Sequence, residues 1–254
     1  MSRSPRIVIV GGVAGGASAA ARARRLSEAA SIVLFERGPY VSFANCGLPY
    51  HIGGVIGERN RLLLQTPESL HARFRIDVRV HTEVISIDPA SQTVIARNLK
   101  TGQETREPYD ALVLSPGAEA IRPAIPGIQD DRIFTLRNMG DMDAILGAVS
   151  RDGVGRALVV GAGYIGLELA EQFHHRGLAV ALVERLPHVM GVADTEMTFP
   201  IHEELARHGV DLRLGRSVTA FEKAGGELVA VLDNGDRIPC DLAVLSVGVR
   251  PETR

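Results

Sequence analysis

The sequence predicts an α/β fold of two three-layer units, and three observations predict it. A short β-branched run, Arg6–Val10, leads through Gly11-Gly12-Val13-Ala14-Gly15-Gly16 into an alanine-rich helix over 17–28, and a second apolar run over 32–35 ends on Glu36. The same order returns later: Arg156–Val160, then Gly161-Ala162-Gly163-Tyr164-Ile165-Gly166, a helix over 167–175, and a strand over 179–183 ending at Glu184. The third observation is the 27 glycines, which cluster at strand ends. Short continuous apolar runs mark parallel strands buried on both faces. Strand, glycine turn, helix and acidic strand end together make a βαβ unit of the Rossmann-like, dinucleotide-binding kind.

The chemistry follows from the backbone. Amides at a helix start point at an anion, so each glycine turn would hold a pyrophosphate. Glu36 and Glu184 would accept hydrogen bonds from ribose hydroxyls. The second turn matches G-x-G-x-x-G in full, whereas the first has Val13 at the middle glycine.

Composition narrows the class. At 45% hydrophobic and 23% charged residues the chain is globular. A net charge of −2 with no basic block points away from nucleic acid and from an anionic membrane. No apolar run is long enough to span a bilayer, and the N-terminus passes almost directly into a strand, which is no signal segment. Two cysteines far apart fit a reduced, cytoplasmic setting. No metal-ligand motif is present.

The remaining elements follow in order. Thr66-Pro67-Glu68 reads as N-cap, N1 and N2 of a helix to 74. Residues 76–88, rich in Val and Ile, read as one strand. Residues 93–98 and 104–107 make a hairpin about Lys100-Thr101-Gly102, and 109–114 is a buried strand stopped by Ser115-Pro116-Gly117. The proline-rich run 122–127 reads as a domain crossing. Residues 140–150 form a helix. A helix over 195–208 contains Pro200, so a kink or late start is expected. After a strand over 210–214, residues 217–222 and 228–232 form a hairpin region with Asn234-Gly235 as its turn. Cys240 reads as structural, ahead of a buried strand over 242–247.

Between the two fingerprints lies Ser42-Phe43-Ala44-Asn45-Cys46-Gly47-Leu48-Pro49-Tyr50-His51. Pro49 suits the first turn of a helix. A cysteine just before such a start feels the positive end of the helix dipole, which favours the reactive thiolate. A lone cysteine also reads as a small buried hydrophobe; the flanking fingerprints weigh toward reactivity.

Two dinucleotide fingerprints with a cysteine after the first resemble the pyridine nucleotide-disulfide oxidoreductases, flavoproteins in which the first unit binds FAD and the second NAD(P)H. The stretch 42–50 is similar to the single-cysteine branch. It is nearest in form to the coenzyme A disulfide reductases and NADH-dependent persulfide reductases, and the branch also includes NADH oxidases and peroxidases. The run 11–25 and Leu114-Ser115-Pro116-Gly117-Ala118 carry the same likeness, in which Val13 is ordinary. The resemblance implies that the second unit is inserted into the first, with 1–118 and 244–254 in an FAD domain and 119–243 in an NAD(P)H domain. Relatives continue further, with a Gly-Asp flavin motif, a dimerisation domain and in some a rhodanese domain. The chain therefore reads as an N-terminal portion, and the longer form as a homodimer.

The resemblance also implies roles. Two-cysteine members place the second cysteine where His51 stands, so Cys46 would cycle through a bond to an external sulfur: a mixed disulfide with coenzyme A, or a persulfide. A sulfenic acid at Cys46 is the oxidase or peroxidase version. His51 reads as a proton carrier or as a solvated loop histidine. Gly11, Gly12, Val13, Ala14, Gly15, Gly16, Glu36, Arg37, Asn45, Val84, Ser115, Gly117 and Gly248 would contact flavin, and Gly161, Gly163, Tyr164, Ile165, Gly166, Glu168 and Glu184 the nicotinamide nucleotide. Tyr164 resembles a gate over the flavin, or packs in the core. Ser42 and Asn45 flank the thiol toward substrate or flavin. Ser18, Arg22 and Arg25 would meet coenzyme A, although a solvated helix face explains the arginines equally. An often basic family position is Phe74 here, with Arg73 and Arg75 beside it. Glu184 favours NADH over NADPH, and Arg185 pulls the other way. The expected substrate is a small-molecule disulfide or persulfide.

Overall fold

A computed structural model describes residues 4–253. Its contacts divide the chain into two units: residues up to 44 with 60–117 and the residues from 251, and residues 45–59 with 118–250.

In the first unit, β1 (Arg6–Val10), α1 (Gly15–Leu26) and β2 (Ser31–Phe35) form the expected βαβ. The short helix α2 (Leu48–Ile52) belongs to the second unit and is described with it. Next come α3 (Pro67–Phe74), β3 (Ile76–Arg79), β4 (Thr82–Asp88), β5 (Thr93–Asn98), β6 (Glu104–Pro108) and β7 (Ala111–Leu114). A parallel sheet runs β3-β2-β1-β7, and an antiparallel sheet runs β4-β5-β6. Alternation along the central strands sorts the core. Ile9, Ile32, Leu34 and Ile76 pack with Ala20 and Leu70 of the helices, while Val8, Val33 and Phe35 pack with Val94 and Ala96 of the antiparallel sheet. Helices, parallel sheet and antiparallel sheet are the three layers.

Residues 76–88 differ from the expected single strand. The chain breaks at His81, whose φ of 52° lies in the left-handed region, so β3 joins the parallel sheet and β4 the antiparallel one. Periodicity could not see this, because apolar residues continue across the break. The α3 start is as read: Thr66 Oγ1 accepts from Ser69 N–H at 3.2 Å while Ser69 Oγ accepts from Thr66 N–H at 2.8 Å.

The second unit contains β8 (Ala118–Ala120), β9 (Ile133–Thr135), α4 (Met139–Val149), β10 (Arg156–Val160), α5 (Tyr164–His175), β11 (Ala179–Glu184), α6 (Thr195–Arg207) and β12 (Asp211–Leu214). There follow β13 (Val218–Ala224), β14 (Glu227–Leu232), β15 (Arg237–Cys240), β16 (Leu242–Leu245) and β17 (Val249–Pro251). Five parallel strands run β12-β11-β10-β16-β9. The antiparallel β13-β14-β15 sheet shares a core with them, in which Leu158, Val160 and Leu245 meet Phe221, Ala230 and Cys240. Cys240 is 1% exposed, as its structural reading requires.

Five details correct the sequence reading. The strand β16 lies between β10 and β9, so 244 falls inside the second unit's sheet and the chain leaves that unit only at 251. Residues 122–127 are bound into the second unit: Arg122 donates to the carbonyls of Ile128 and Ile133 at 2.8 and 2.7 Å, and Phe221 N–H to Pro126 at 2.8 Å. The turn Asn234-Gly235 leads from β14 to β15, while β13 and β14 join at Gly225-Gly226. β15 escaped notice because Pro239 argues against a strand, and it is tolerated here on a sheet edge. Finally, α6 begins at Thr195 and continues through Pro200, so no late start occurs. Among the described residues no helix is long and apolar enough to cross a membrane.

Candidate functional site

The two fingerprints build the same cradle, bond for bond. In the first unit Gly11 N–H donates to Phe35 O at 2.8 Å, Ser115 N–H to Val10 O at 2.8 Å, and Ser42 N–H to Gly12 O at 2.9 Å. In the second, Gly161 N–H donates to Val183 O at 2.8 Å, Ser246 N–H to Val160 O at 2.7 Å, and Met190 N–H to Ala162 O at 2.8 Å. The acids match as well. Glu36 accepts from Gly12 N–H at 2.8 Å and Gly38 N–H at 2.7 Å. Glu184 accepts from Ala162 N–H at 2.7 Å and Leu186 N–H at 2.8 Å. Each carboxylate is thus fixed across its strand ends, with lone pairs left for a further donor.

The glycines explain themselves. Gly11 and Gly161 have φ of 91° and 99°, and a Cβ on either would strike the carbonyl of Ser115 or Ser246. A Cβ on Gly16 or Gly166 would fall inside the Gly11 or Gly161 carbonyl, so only glycine lets the helix start cross its strand this closely.

The helix starts differ: α1, α2, α5 and α6 have no side-chain cap, and of these α1 and α5 open directly from the two fingerprints. Helices α3 and α4 carry side-chain capping boxes, Thr66 with Ser69 and Asn138 with Asp141. Helices α1 and α5 have no side-chain cap and no acid in the first turn. Their first amides are left for an anion outside the chain. At the ends of β1 and β2 opens a cleft of about 640 Å³ whose walls include Gly11, Glu36, Arg37 and Val84. Arg37 lies 3.8 Å from Glu83 and 3.6 Å from Glu252 across this cleft. The residues present fit an adenine dinucleotide: a glycine cradle for the pyrophosphate, an oriented carboxylate for ribose, and a walled cleft. Gly117 turns the chain beside it with φ of 79°.

Cys46 is exposed in a 3₁₀ turn, Asn45–Gly47, that runs into α2 with Pro49 in its first turn, as expected. This segment is part of the second unit, where α2 packs on α4 and α5. Asn45 Oδ1 is buried with no hydrogen-bond partner among the described residues. Glu168, on α5, has its carboxyl pushed above the ordinary range by burial and by Glu171. Tyr50 has its phenol raised by the charge of Glu168, then by burial, Glu171 and Cys46. Cys46, Tyr50 and Glu168 therefore share one electrostatic neighbourhood, and Tyr50 stays protonated within it. The only other cysteine, Cys240, has its thiol pushed up to about 12 by burial. His51 is buried, with Nδ1 2.6 Å from Ile56 O, which removes the reading of it as a solvated loop side chain.

The first unit gathers Gly11, Gly12, Gly15, Gly16, Glu36, Arg37, Val84, Ser115 and Gly117, with Ser42 hydrogen-bonded to the same turn. Val13 and Ala14 complete that turn. The second gathers Gly161, Gly163, Tyr164, Ile165, Gly166 and Glu184, with Gly248 near the end of its sheet and Asn45, Cys46 and Glu168 where α2 meets α5. Tyr164 is 65% exposed at the start of α5, which excludes the core-packing alternative. Ser18, Arg22 and Arg25 are exposed and share one face of α1 by their spacing. Phe74 is half-buried under the Arg73 guanidinium, and Arg75 is paired with Glu28. Two residues escaped the sequence reading. Tyr50 stood inside the cysteine motif without a role. Arg24 is 6% exposed and donates to the carbonyls of Ser27, Glu28, Ala30, Phe74 and Arg75, tying the end of α1 to that of α3. Nothing in its arginine-rich surroundings marks it out.

The model of the family described as pyridine nucleotide-disulphide oxidoreductase matches residues 5–254. A coenzyme A disulfide reductase of Staphylococcus aureus (strain JH9) is 39% identical over 250 residues, covering 98% of this chain and 56% of that protein. The structure of reduced Bacillus anthracis CoADR-RHD is 47% identical with a TM-score of 0.94, over 98% of this chain and 45% of that one. An NAD-dependent persulfide reductase from A. fulgidus (TM-score 0.93, over 98% and 47%) and the NADH-bound water-forming NADH oxidase from Lactobacillus brevis (TM-score 0.93, over 98% and 55%) are each 32% identical. An engineered NADPH-bound form of that oxidase is also 32% identical, with a TM-score of 0.92, over 98% and 55%. The chain spans about half the length of these relatives. With both cradles and the exposed cysteine in place, the chain belongs to the pyridine nucleotide-disulphide oxidoreductase family.

Proposed function

We propose that this chain carries the redox core of a flavin-dependent reductase that passes electrons from NADH to a sulfur–sulfur bond through Cys46. The observation that carries this reading is the contrast between its two cysteines: Cys46 exposed at a helix start, Cys240 buried in the core, and His51 where a second redox cysteine would stand. FAD held in the first cradle would take a hydride from NADH and deliver two electrons to the sulfur.

The chain's own part is then specific. Cys46 thiolate attacks one sulfur of a disulfide or persulfide, forming a Cys46 S–S bond as the substrate's bond breaks and one thiolate leaves. Two electrons and two protons return Cys46 and the second substrate fragment to thiols. Uncapped α1 and α5 amides bind pyrophosphates, Glu36 and Glu184 orient riboses, and the exposed Ser18–Arg22–Arg25 stripe offers charge for coenzyme A phosphates.

Glu184 selects NADH by repelling a 2′-phosphate. The engineered NADPH-bound oxidase changes a glycine to alanine and, eighteen positions on, an aspartate to alanine, followed directly by alanine to arginine. Gly166, Glu184 and Arg185 have the same spacing, so this chain keeps the acid and already has the arginine.

A second reading is an NADH oxidase or peroxidase cycling Cys46 through sulfenic acid, supported by the likeness to the L. brevis oxidase. A third, for the chain by itself, is a non-catalytic nucleotide-binding portion. NADH turnover with coenzyme A disulfide, a coenzyme A persulfide, peroxide and oxygen separates them. The expected order puts the sulfur substrates first, and Cys46→Ser abolishes their turnover while sparing flavin binding. Sulfur turnover retained in that variant overturns the mechanism.

A further inference from the structure

A helix of five residues cannot hold itself in place, so whatever α2 is packed on sets the position of Cys46. Gly53, the residue after α2, faces Gln172 of α5. A Cβ on Gly53 would fall inside the Gln172 side chain, which is 1% exposed and has its Oε1 without a hydrogen-bond partner among the described residues. The Gly53 backbone is ordinary helix, φ −71° and ψ −13°, so only the neighbour forbids a side chain there. Two arginines complete the seat. Arg176 donates to Ile52 O at 3.0 Å and to Ser150 Oγ at 3.1 Å. Arg59 forks onto Asp143 of α4 at 2.8 and 2.7 Å. The segment then closes on itself, with Ile56 N–H donating to Tyr50 O at 3.1 Å.

We propose that this seat is the device that positions the reactive sulfur: the close packing of Gly53 on α5, with Arg176 and Arg59 as positioning residues, fixes the Cys46 segment on α4 and α5, the latter being the helix that also opens the second nucleotide cradle. The inference rests on Cys46 being the reacting sulfur. Misplacing a reacting group by about 1 Å can cost on the order of 100-fold in rate.

The test introduces the forbidden side chain and then makes room for it. In Gly53→Ala, amide hydrogen exchange over residues 45–56 is expected to quicken by about tenfold, with residues 93–98 unchanged. In the FAD-loaded chain, kcat with coenzyme A disulfide is expected to fall by at least ~10-fold while KM for NADH stays within about twofold. Gly53→Ala/Gln172→Ala is expected to recover most of both losses. Should Gly53→Ala fail to fold, Arg59→Met gives the same exchange readout from the exposed side of the seat. Unchanged exchange in both variants, or a double variant no better than the single, overturns the seat. Exchange behaving as expected while Cys46→Ser retains sulfur turnover leaves the seat standing and removes the proposed reaction.

Discussion

Glu36 and Glu184 each spend two hydrogen bonds on the backbone before any nucleotide arrives. That preorganisation underlies the proposed role of Glu184 as selector: a carboxylate held by two backbone amides does not swing away from a 2′-phosphate. Glu184→Ala is expected to lower the NADH-over-NADPH ratio of kcat/KM by about tenfold, the scale of one hydrogen bond to a charged group. An unchanged ratio removes Glu184 from that role. Glu168 gives a pH test. Its raised carboxyl binds its proton more tightly in the folded state, so its contribution to stability is full at low pH and is lost as pH rises through the raised value. Glu168→Gln should therefore raise Tm more at pH 7 than at pH 4, modestly because the group is partly exposed; the reverse order contradicts that environment. At this scale the glycines and acids were legible because each acid follows its glycine turn at a recognisable spacing inside one βαβ unit, Glu36 24 positions after Gly12 and Glu184 22 after Ala162. Arg24 and Tyr50 were not, since Arg24 is completed by the carbonyls of Phe74 and Arg75 and Tyr50 is set by Glu168 and Glu171, all far along the chain.

Capped and fingerprint helix starts respond differently to substitution. Thr66→Ala should cost about 1 kcal/mol in denaturant unfolding and leave nucleotide affinity unchanged. Gly166→Ala should instead force α5 away from the Gly161 carbonyl, costing roughly 1–3 kcal/mol and weakening NADH binding together. Unaltered NADH binding in that variant would mean the close crossing is not part of the cradle. Pro49 and Thr66-Pro67 announced their helices in sequence. The split between β3 and β4 did not, because a single left-handed residue, His81, ends one strand without breaking the apolar pattern. Pro239 hid β15 for the opposite reason: a residue hostile to strands sits harmlessly on an edge.

The molecule repeats one design twice, and the two copies diverge after the acid. Beyond Glu36 the chain runs through Ser42, φ 46°, to the cysteine segment; beyond Glu184 it runs through Met190, φ 51°, to α6. The repeat was readable from two fingerprints. The attachment of residues 45–59 to the second unit was not, because it depends on Gln172, Arg176 and Asp143, more than eighty positions away in sequence. In the proposed reaction electrons from NADH reach a sulfur–sulfur bond through Cys46. The most direct measurement follows the visible flavin absorption of the FAD-loaded chain, without oxygen, as NADH and then coenzyme A disulfide are added, beside Cys46→Ser. NADH is expected to bleach the flavin in both proteins, and the disulfide to restore its colour only where Cys46 is present. Colour returning equally in Cys46→Ser, or no bleaching by NADH in either protein, would contradict that reaction.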